Sequence, residues 1–272
     1  MLDRFARIIA CMGALTAALA PSTATPAPRR IVSLNLCVDQ YLLALADRRQ
    51  VAGLTSFARD PALSAYATRA ARWPVNRGGA EDVLSLRPDL ILVAPGRRAD
   101  TMALLRGRGI AIVEVPEADS YADIVEQTRR VADVIGQRAR GERLIARMNA
   151  RLARVPVNAG GGRVAAYYQR RGYLTGTGTL IDDLMHRVGL RNLAARLHKP
   201  VLSRVGLEEM ARAHPDFLLV ESATDRIVDH GTEMLHHPLL HTIGRLRLPQ
   251  AWTVCGSPAY VDAAQSLARQ LR

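Results

Sequence analysis

Residues 81–90 read EDVLSLRPDL and are followed by the apolar run ILV at 91–93. The same arrangement returns as EEMARAHPDF at 208–217, followed by LLV at 218–220. In each copy a glutamate opens a short helix, a Pro-Asp pair ends it seven positions after the glutamate, and a buried strand begins. A unit that occurs twice in this way predicts two similar α/β lobes, each with an acidic residue at a helix start.

Other apolar segments extend the pattern in both halves of the chain. They contain few polar alternations and are separated by helical stretches, which is typical of parallel sheets that are covered on both faces. The predicted strands are 30–34, 51–55, 90–94, 111–115, 163–168, 217–220 and 251–254. A loop rich in glycine and threonine is predicted at 172–179.

A helical region is predicted between the two halves. Apolar residues at helical spacing in 137–154 predict a rod of roughly 27 Å, long enough to bridge two lobes. Gly136 and Gly141 predict a break near its start. The predicted fold class is therefore α/β, with two Rossmann-like lobes whose parallel central sheets are joined by a single long helix. The predicted units are an N-terminal lobe (29–118), a helical region with the interlobe helix (119–157) and a C-terminal lobe (160–272).

The bulk composition fits a globular chain with real cores. Of its 272 residues, 49% are hydrophobic, and the formal net charge is +12. The basic residues are almost all arginines, Lys199 being the only lysine, and they are scattered rather than clustered. Since neither a basic stripe nor aromatic base-stacking motifs accompany them, we expect no nucleic-acid binding.

The N-terminus has the pattern of an export signal. Arg4 and Arg7 precede an apolar segment at 8–20, and small residues at 22–24 offer a cleavage site. The apolar segment is shorter than the about 20 residues that a membrane-spanning helix needs. A lipoprotein signal ending at Cys11 would leave almost no apolar core before the cysteine. The sequence therefore predicts a cleavable signal peptide at 1–24 and a periplasmic protein.

Two cysteines, Cys37 and Cys255, remain after the predicted cleavage. Each follows a predicted strand, one near the start and one near the end of the chain, so both are candidates for the cleft between the lobes. Three interpretations stay open from the sequence: two unpaired small core residues, a disulfide between the lobes, or soft ligands of a metal centre.

The order of these elements resembles the periplasmic substrate-binding proteins of ABC importers for vitamin B12 and iron–siderophore complexes. The resemblance covers about residues 29–270. It rests on RIVSL at 30–34, GGAE at 78–81 leading into RPDL at 87–90, the interlobe helix, and Glu208 leading into Pro-Asp at 215–216. It implies a binding protein without catalysis and without a cofactor, which we expect to be a monomer.

The resemblance also implies where the ligand lies. In this family it sits between the lobes, at loops that follow the carboxyl ends of the strands. Phe57 matches a position where B12-binding relatives carry an aromatic platform, and Arg77 lies about two residues from a ligand-contacting arginine of hydroxamate-siderophore binders. The candidate ligand-binding residues are Asn35, Cys37, Ser56, Phe57, Asn76, Arg77, Arg97, Arg98, Tyr168, Tyr173, Trp252 and Cys255.

Two glutamates match the family's docking positions. In relatives, one glutamate per lobe docks onto arginines of the membrane permease, and Glu81 and Glu208 stand in the corresponding places. Two exposed carboxylates on separate lobes would give a two-point electrostatic register on a basic surface. Each could instead simply complement a helix dipole. Glu209 is the alternative candidate in the second lobe.

The ligand expected from these features is a metal chelate, either cobalamin or a ferric siderophore. Phe57 and Trp252 favour a planar apolar ligand and so the corrinoid side. Haem is an alternative, with Tyr168 or Tyr173 as axial ligand. A rival of another class is an exported metal-dependent enzyme built on His230, His236, His237 and His241; Pro238 interrupts this group, and no metal site is predicted there.

Overall fold

The structure is a computed structural model that describes residues 26–272. The predicted signal peptide at 1–24, with Cys11, lies outside these residues. Two α/β lobes and a helical hairpin between them make up the described chain. Among residues 26–272, no helix has the length and apolar character needed to cross a bilayer.

The N-terminal lobe is built on a five-stranded, fully parallel sheet in the order β3-β2-β1-β4-β5. Its central strands are buried on both faces, which explains why they read as continuous apolar runs. The strands are β1 (Ile31–Ser33), β2 (Val51–Thr55), β3 (Val75–Asn76), β4 (Leu90–Val93) and β5 (Ala111–Glu114). The helices are α1 (Leu36–Leu45), α2 (Ala67–Ala70), α3 (Ala80–Ser85) and α4 (Ala99–Leu105).

The connection consists of two helices, α5 (Tyr121–Val134) and α6 (Arg138–Leu152), rather than one. They run antiparallel: Arg129 of α5 pairs with Glu142 of α6 at 2.8 Å. The chain reverses at Gly136, whose φ of 71° is left-handed. The break predicted at Gly141 is wrong, because that glycine lies inside α6, where the lack of a side chain allows close packing against Ala132.

Both helices of the hairpin contact both lobes. In α5, Ile124 belongs to the core of the C-terminal lobe and Val131 to the core of the N-terminal lobe. In α6, the Arg140 guanidinium donates to the carbonyl of Leu45 at 2.7 Å, and Met148 packs into the C-terminal core. The predicted bridging helix corresponds to α6, and α5 adds a second crossing beside it.

The C-terminal lobe carries a mixed sheet in the order β11-β10-β6-β7-β9, with the short β8 also beside β6. Strands β6, β8, β10 and β11 are parallel, while β7 is antiparallel to β6 and β9. The strands are β6 (Val164–Gln169), β7 (Tyr173–Thr175), β8 (Arg191–Asn192), β9 (Leu202–Arg204), β10 (Phe217–Glu221) and β11 (Gly244–Leu248). The helices are α7 (Leu180–Arg187), α8 (Leu193–Arg196), α9 (Leu207–Ala213), α10 (His230–Glu233) and α11 (Tyr260–Gln270).

Two predictions for this lobe need correction. Residues 251–254 are not a strand: Pro249 introduces a single 3-10 turn at Gln250–Trp252, and the last strand is β11, which alternates arginine and leucine. The predicted loop at 172–179 contains β7, because its residues find ladder partners in both β6 and β9.

The repeated Pro-Asp unit performs the same backbone task in both lobes. The Asp89 carboxylate accepts hydrogen bonds from the backbone N–H groups of Arg29 and Arg30, at 2.7 and 2.9 Å, just before β1. The Asp216 carboxylate accepts one from Val164 at 2.6 Å, at the start of β6. Each aspartate thus ties the start of one strand to the start of the first strand of its lobe.

Candidate functional site

A cleft between the lobes contains two adjoining compartments. The inner compartment has a volume of about 330 Å³ and the outer one about 460 Å³, and Asn35 and Val254 line both. Volumes of this size are typical of small-molecule sites, which run from about 300 to about 1,000 Å³. The lining residues follow the carboxyl ends of strands in both lobes, which is where parallel α/β sheets generally bind ligands.

Part of the wall of the inner compartment is a disulfide between Cys37 and Cys255, whose Cα atoms lie 5.2 Å apart. Cys37 is in the first turn of α1, where the side chain of Asn35 caps the helix by accepting from the backbone N–H groups of Cys37 and Val38. Cys255 is almost fully buried. Of the three interpretations open from the sequence, the structure shows the interlobe disulfide.

The inner compartment combines apolar side chains with acidic ones. Glu117 and Asp119 reach it from the segment after β5, and Glu221 from the end of β10. Among the described residues that line it, none is Lys, Arg or His. The Glu221 carboxylate accepts a hydrogen bond from the Tyr167 hydroxyl at 3.0 Å. Burial, reinforced by this carboxylate, raises the pKa of Tyr167, so the phenol remains a neutral donor.

Tyr41 also lines the inner compartment, and its hydroxyl is free to bind a ligand. Its side chain is only 2% exposed, and its hydroxyl has no hydrogen-bond partner within residues 26–272. Burial raises the pKa of Tyr41, so this hydroxyl too is neutral. A buried hydroxyl without a partner costs free energy, and a ligand or a bound water would relieve that cost.

The outer compartment is apolar with a basic edge. Phe57, half exposed, forms part of it with Leu36, Leu63 and Val254. Arg97 and Arg98 follow β4 at its edge. Arg97 lies 3.9 Å from Glu117, an exposed ion pair that contributes little. The Arg98 guanidinium lies over Gly78, at a distance that leaves no room for a β-carbon there, and donates to the carbonyl of Arg77 at 3.3 Å.

The structure brings half of the twelve predicted ligand-binding residues into the lining of the cleft. These are Asn35, Cys37, Phe57, Arg97, Arg98 and Cys255. Three others are exposed or partly exposed outside the two linings: Ser56, Arg77 and Tyr173.

The remaining three do not line either compartment. Asn76 is buried, and its amide donates to the carbonyls of Ser33 and Leu54, joining neighbouring strands. Tyr168 is fully buried in the core of the C-terminal lobe, with its hydroxyl bonded to the carbonyl of Val205 at 2.7 Å. Trp252 packs against the other core of that lobe.

Several lining residues were missed, although two kinds of signal were present. Gln169 and Glu221 end strands β6 and β10, and Glu117 and Asp119 follow β5, so the rule about strand carboxyl ends includes them. Neighbouring residues in a strand point to opposite sides, so Tyr167 and Tyr168 pack into different cores of the C-terminal lobe, and only Tyr167 also lines the inner compartment. The missed polar residues of the inner compartment are Tyr41, Glu117, Asp119, Tyr167, Gln169, Thr175, Thr179, Glu221, Gln250 and Thr253, and Val254 is among the missed apolar ones.

The two candidate docking glutamates occupy equivalent positions. Glu81 lies in the first turn of α3 and Glu208 in the first turn of α9, both exposed, and each helix follows a glycine that makes no side-chain cap. Within residues 26–272 neither carboxylate has an ion-pair partner. Glu209 is instead engaged by Lys199 at 2.7 Å, which favours Glu208 as the available carboxylate.

The histidines near residue 236 bond to the backbone and to one carboxylate. The ring of His236 contacts the carbonyl of Thr224 at 2.7 Å, His241 that of His236, and His237 accepts from the backbone of Leu239. His230 lies 3.0 Å from Glu233. In the part of the chain that the structure describes, no group of three or more His, Cys, Asp or Glu residues is placed to hold a metal ion.

Comparison with known proteins gives a consistent picture. The family profile described as "Periplasmic binding protein" matches residues 31–243. A cobalamin-binding protein of Halobacterium salinarum is 28% identical over 208 residues, which cover 74% of this chain and 56% of the relative. The chain thus spans about half the length of the curated relatives that it matches.

Solved structures share the two-lobe fold. The periplasmic heme-binding protein RhuT of Roseiflexus sp. RS-1, in apo form, aligns with a TM-score of 0.71 at 25% identity, covering 90% of this chain and 99% of that one. The periplasmic vitamin B12 binding protein BtuF of Vibrio cholerae aligns with a TM-score of 0.64 at 16% identity, covering 90% and 96%. The predicted two-lobe α/β fold class is confirmed by this likeness and by the lobes themselves, although the C-terminal sheet is mixed and two helices rather than one connect the lobes.

Proposed function

The chain belongs to the periplasmic binding protein family, and from that premise we propose that it captures a cobalamin-type corrinoid in the interlobe cleft. It would deliver this ligand to an ABC permease as an exported, periplasmic component. A structural disulfide supports export, since such bonds persist in oxidising compartments.

The observation that carries the proposal is the opposite chemistry of the two compartments. A cobalamin-type corrinoid offers a planar macrocycle, a rim of primary amides that are N–H donors, and one phosphodiester. The inner compartment provides three carboxylates as acceptors, and the outer one provides Phe57 for an apolar face and two arginines for an anion. A ligand whose peripheral groups are all carboxylates or hydroxamate oxygens would leave the acidic compartment without donors.

Titration of apo protein tests the ligand class. Cobalamin, haem and a ferric hydroxamate siderophore would each be titrated while tryptophan fluorescence is followed, since Trp252 adjoins the lining residue Thr253. We expect cobalamin to bind with a Kd below about 1 μM. Tighter binding of haem or of the siderophore than of cobalamin would contradict the proposal.

A matched pair of variants tests the acidic compartment. Glu221→Gln removes the charge beside Tyr167 and should weaken cobalamin binding by about tenfold or more, as for a lost charged hydrogen bond. Glu126→Gln changes an exposed carboxylate on α5, away from both compartments, and should leave the Kd unchanged. Equal effects of the two substitutions would show that the compartment does not bind the amide rim.

Haem is the second candidate, supported by the likeness to the heme-binding protein RhuT, and Tyr173 is an exposed phenol outside the linings of the two compartments. Its ring is 37% exposed, and the Arg204 guanidinium lies 5.8 Å from the ring centroid, so a phenol and a cation stand side by side. If haem binds, Tyr173→Phe should alter the haem absorption spectrum while leaving cobalamin affinity unchanged. An unaltered spectrum would remove Tyr173 as an axial ligand.

For delivery, we propose that Glu81 and Glu208 dock onto basic residues of the permease. Glu81→Ala combined with Glu208→Ala should abolish uptake in a reconstituted transporter and leave ligand affinity unchanged, because neither side chain lines the cleft. Glu209→Ala is the matched control, since its carboxylate is already engaged by Lys199. Loss of ligand affinity in the double variant would place these glutamates in binding rather than docking.

A further inference from the structure

The disulfide is a second connection between the two lobes, in addition to the α5–α6 hairpin that joins them along the chain. Cys37 belongs to the N-terminal lobe and Cys255 to the C-terminal lobe, 218 positions apart in sequence. Both line the inner compartment. The covalent link therefore lies in the wall of the binding site itself, and it limits how far the two lobes can separate there.

The segment that carries Cys255 is also tightly fitted on its other side. A β-carbon on Gly256 would overlap the backbone and side chain of Ala118, which lies between β5 and α5. Both residues line the inner compartment too. Three segments thus meet at the base of the cleft: the start of α1, the chain leaving the N-terminal lobe, and residues 255–256 of the C-terminal lobe.

The lobes are consequently fixed at two places, by the α5–α6 hairpin and by the disulfide. A disulfide tolerates Cα–Cα distances up to about 6.8 Å, so the 5.2 Å separation can grow by less than about 2 Å while the bond is intact. The hairpin continues directly from the lining segment 115–119, but it holds the C-terminal lobe through side-chain packing and hydrogen bonds rather than through a covalent bond. The disulfide is therefore the covalent limit on opening of the inner compartment, beside the packing of the hairpin and of Gly256 against Ala118.

We propose that the Cys37–Cys255 disulfide is a redox-sensitive latch that sets the width, and with it the selectivity, of the binding cleft. The part concerning selectivity rests on the proposed function of the cleft. With the bond intact, the compartments are held in one relative position, and holding the binding geometry in advance favours affinity for the ligand that fits it. Reduction frees the lobes, widens the inner compartment and weakens both affinity and discrimination.

The chemistry of the latch is thiol–disulfide exchange with a dithiol reductant. One thiolate of the reductant attacks the sulfur of Cys37, which is less buried than Cys255, and the Cys255 thiolate leaves and takes up a proton. The second thiol of the reductant then displaces Cys37 and closes its own disulfide. Two electrons and two protons pass to the protein, which ends with two free thiols.

The test compares three preparations of the protein: oxidised, reduced with dithiothreitol, and carrying Cys37→Ser with Cys255→Ser. Thiol titration confirms that reduction exposes two additional thiols. Solution scattering reports the separation of the lobes without any ligand, and stopped-flow measures the dissociation of cobalamin and of haem. We expect a larger radius of gyration and dissociation about tenfold faster or more in both bond-free forms. Adding dithiothreitol to the double serine variant should change nothing.

The outcomes separate the latch from the proposed ligand. Identical scattering and identical dissociation rates in oxidised and reduced protein would overturn the latch while leaving the ligand assignment standing. Wider lobes after reduction, with no binding of cobalamin or haem in either state, would support the latch and overturn the ligand assignment. A serine variant whose scattering and dissociation rates match those of the oxidised protein would show that the reductant acts elsewhere, which also overturns the latch.

Discussion

The two lobes share a scaffold and differ at the edge that faces the ligand. In each, a short helix is followed within two residues by one with left-handed backbone, Arg87 with φ 46° and His214 with φ 40°, and then by Pro-Asp and a buried strand. Each Pro-Asp carboxylate then holds the start of the lobe's first strand. The repeat visible in the sequence is therefore a repeat of backbone hydrogen bonding.

The chemistry diverges at the point where these equivalent strands end. After β4 the chain turns through a loop that presents Arg97 and Arg98, whereas β10 ends directly on Glu221. The first strand also continues differently: β1 leads straight into α1, while β6 first forms an antiparallel pair with β7. The difference teaches that residues outside the repeated unit determine the opposite charge of the two compartments.

The largest expected effect comes from breaking the covalent link between the lobes. Replacing Cys37 and Cys255 with serine opens a loop of 218 residues in the unfolded chain, which the chain-entropy relation values at about 5 kcal/mol of stability. Unfolding in guanidinium chloride, followed by circular dichroism, measures the difference. A loss below about 1 kcal/mol would contradict the entropic contribution of the bond.

A second prediction concerns Asp39, a buried aspartate of the N-terminal lobe whose hydrogen bonds differ from those of Asp182 in the C-terminal lobe. Asp39 in α1 accepts hydrogen bonds from the hydroxyl and the backbone N–H of Thr55, yet burial dominates and raises its pKa to about 7. Asp182, in the first turn of α7, instead accepts from Gly178 and Asn192, at 3.0 Å each. The two first-turn aspartates therefore serve different local structures.

The raised pKa of Asp39 makes stability fall as pH rises. Its pKa in the unfolded chain is about 3.9, so between about pH 4 and 7 the folded protein binds more protons than the unfolded one. The contribution of this group is fully present below about pH 4 and lost by about pH 7, up to about 4 kcal/mol in all. Asp39→Asn should flatten the stability profile in this window in urea unfolding at a series of pH values. An unchanged slope would show that Asp39 titrates at its ordinary pKa.

Much of the fold follows from the sequence because the repeat and the apolar strands are local signals. The strands at 90–94 and 217–220 were predicted within a residue or two, since each follows Pro-Asp and contains only apolar residues. The strand at 251–254 was wrong, because Ala-Trp-Thr-Val has strand propensity but Pro249 sets up a turn there. Local propensity did not reveal that β11, with its alternating arginines, holds the edge of the sheet.

The site was harder to predict because it depends on which face of an element meets the cleft. Tyr168 was predicted in place of its neighbour Tyr167, since both faces of this strand are buried and alternation along it does not say which face reaches the cleft. Asn76 lies at the carboxyl end of its strand, where ligand-binding residues are expected, but its side-chain amide donates to two backbone carbonyls of the sheet. The pairing of Cys37 with Cys255 needed the tertiary fold, because nothing local links residues 218 positions apart.

The smallest expected effect tests whether the Pro-Asp repeat is energetically equal in both lobes. Asp89 accepts from two backbone N–H groups and Asp216 from one, and both side chains are exposed, so each bond competes with water. Asp89→Ala should lower the free energy of unfolding by about 1 kcal/mol, more than Asp216→Ala does. Asp89→Asn keeps one acceptor oxygen and should recover part of the loss. If the two alanine variants are equally destabilised, the number of backbone bonds does not set the strength of the unit, and its two copies differ only in the ligand-facing residues that follow them.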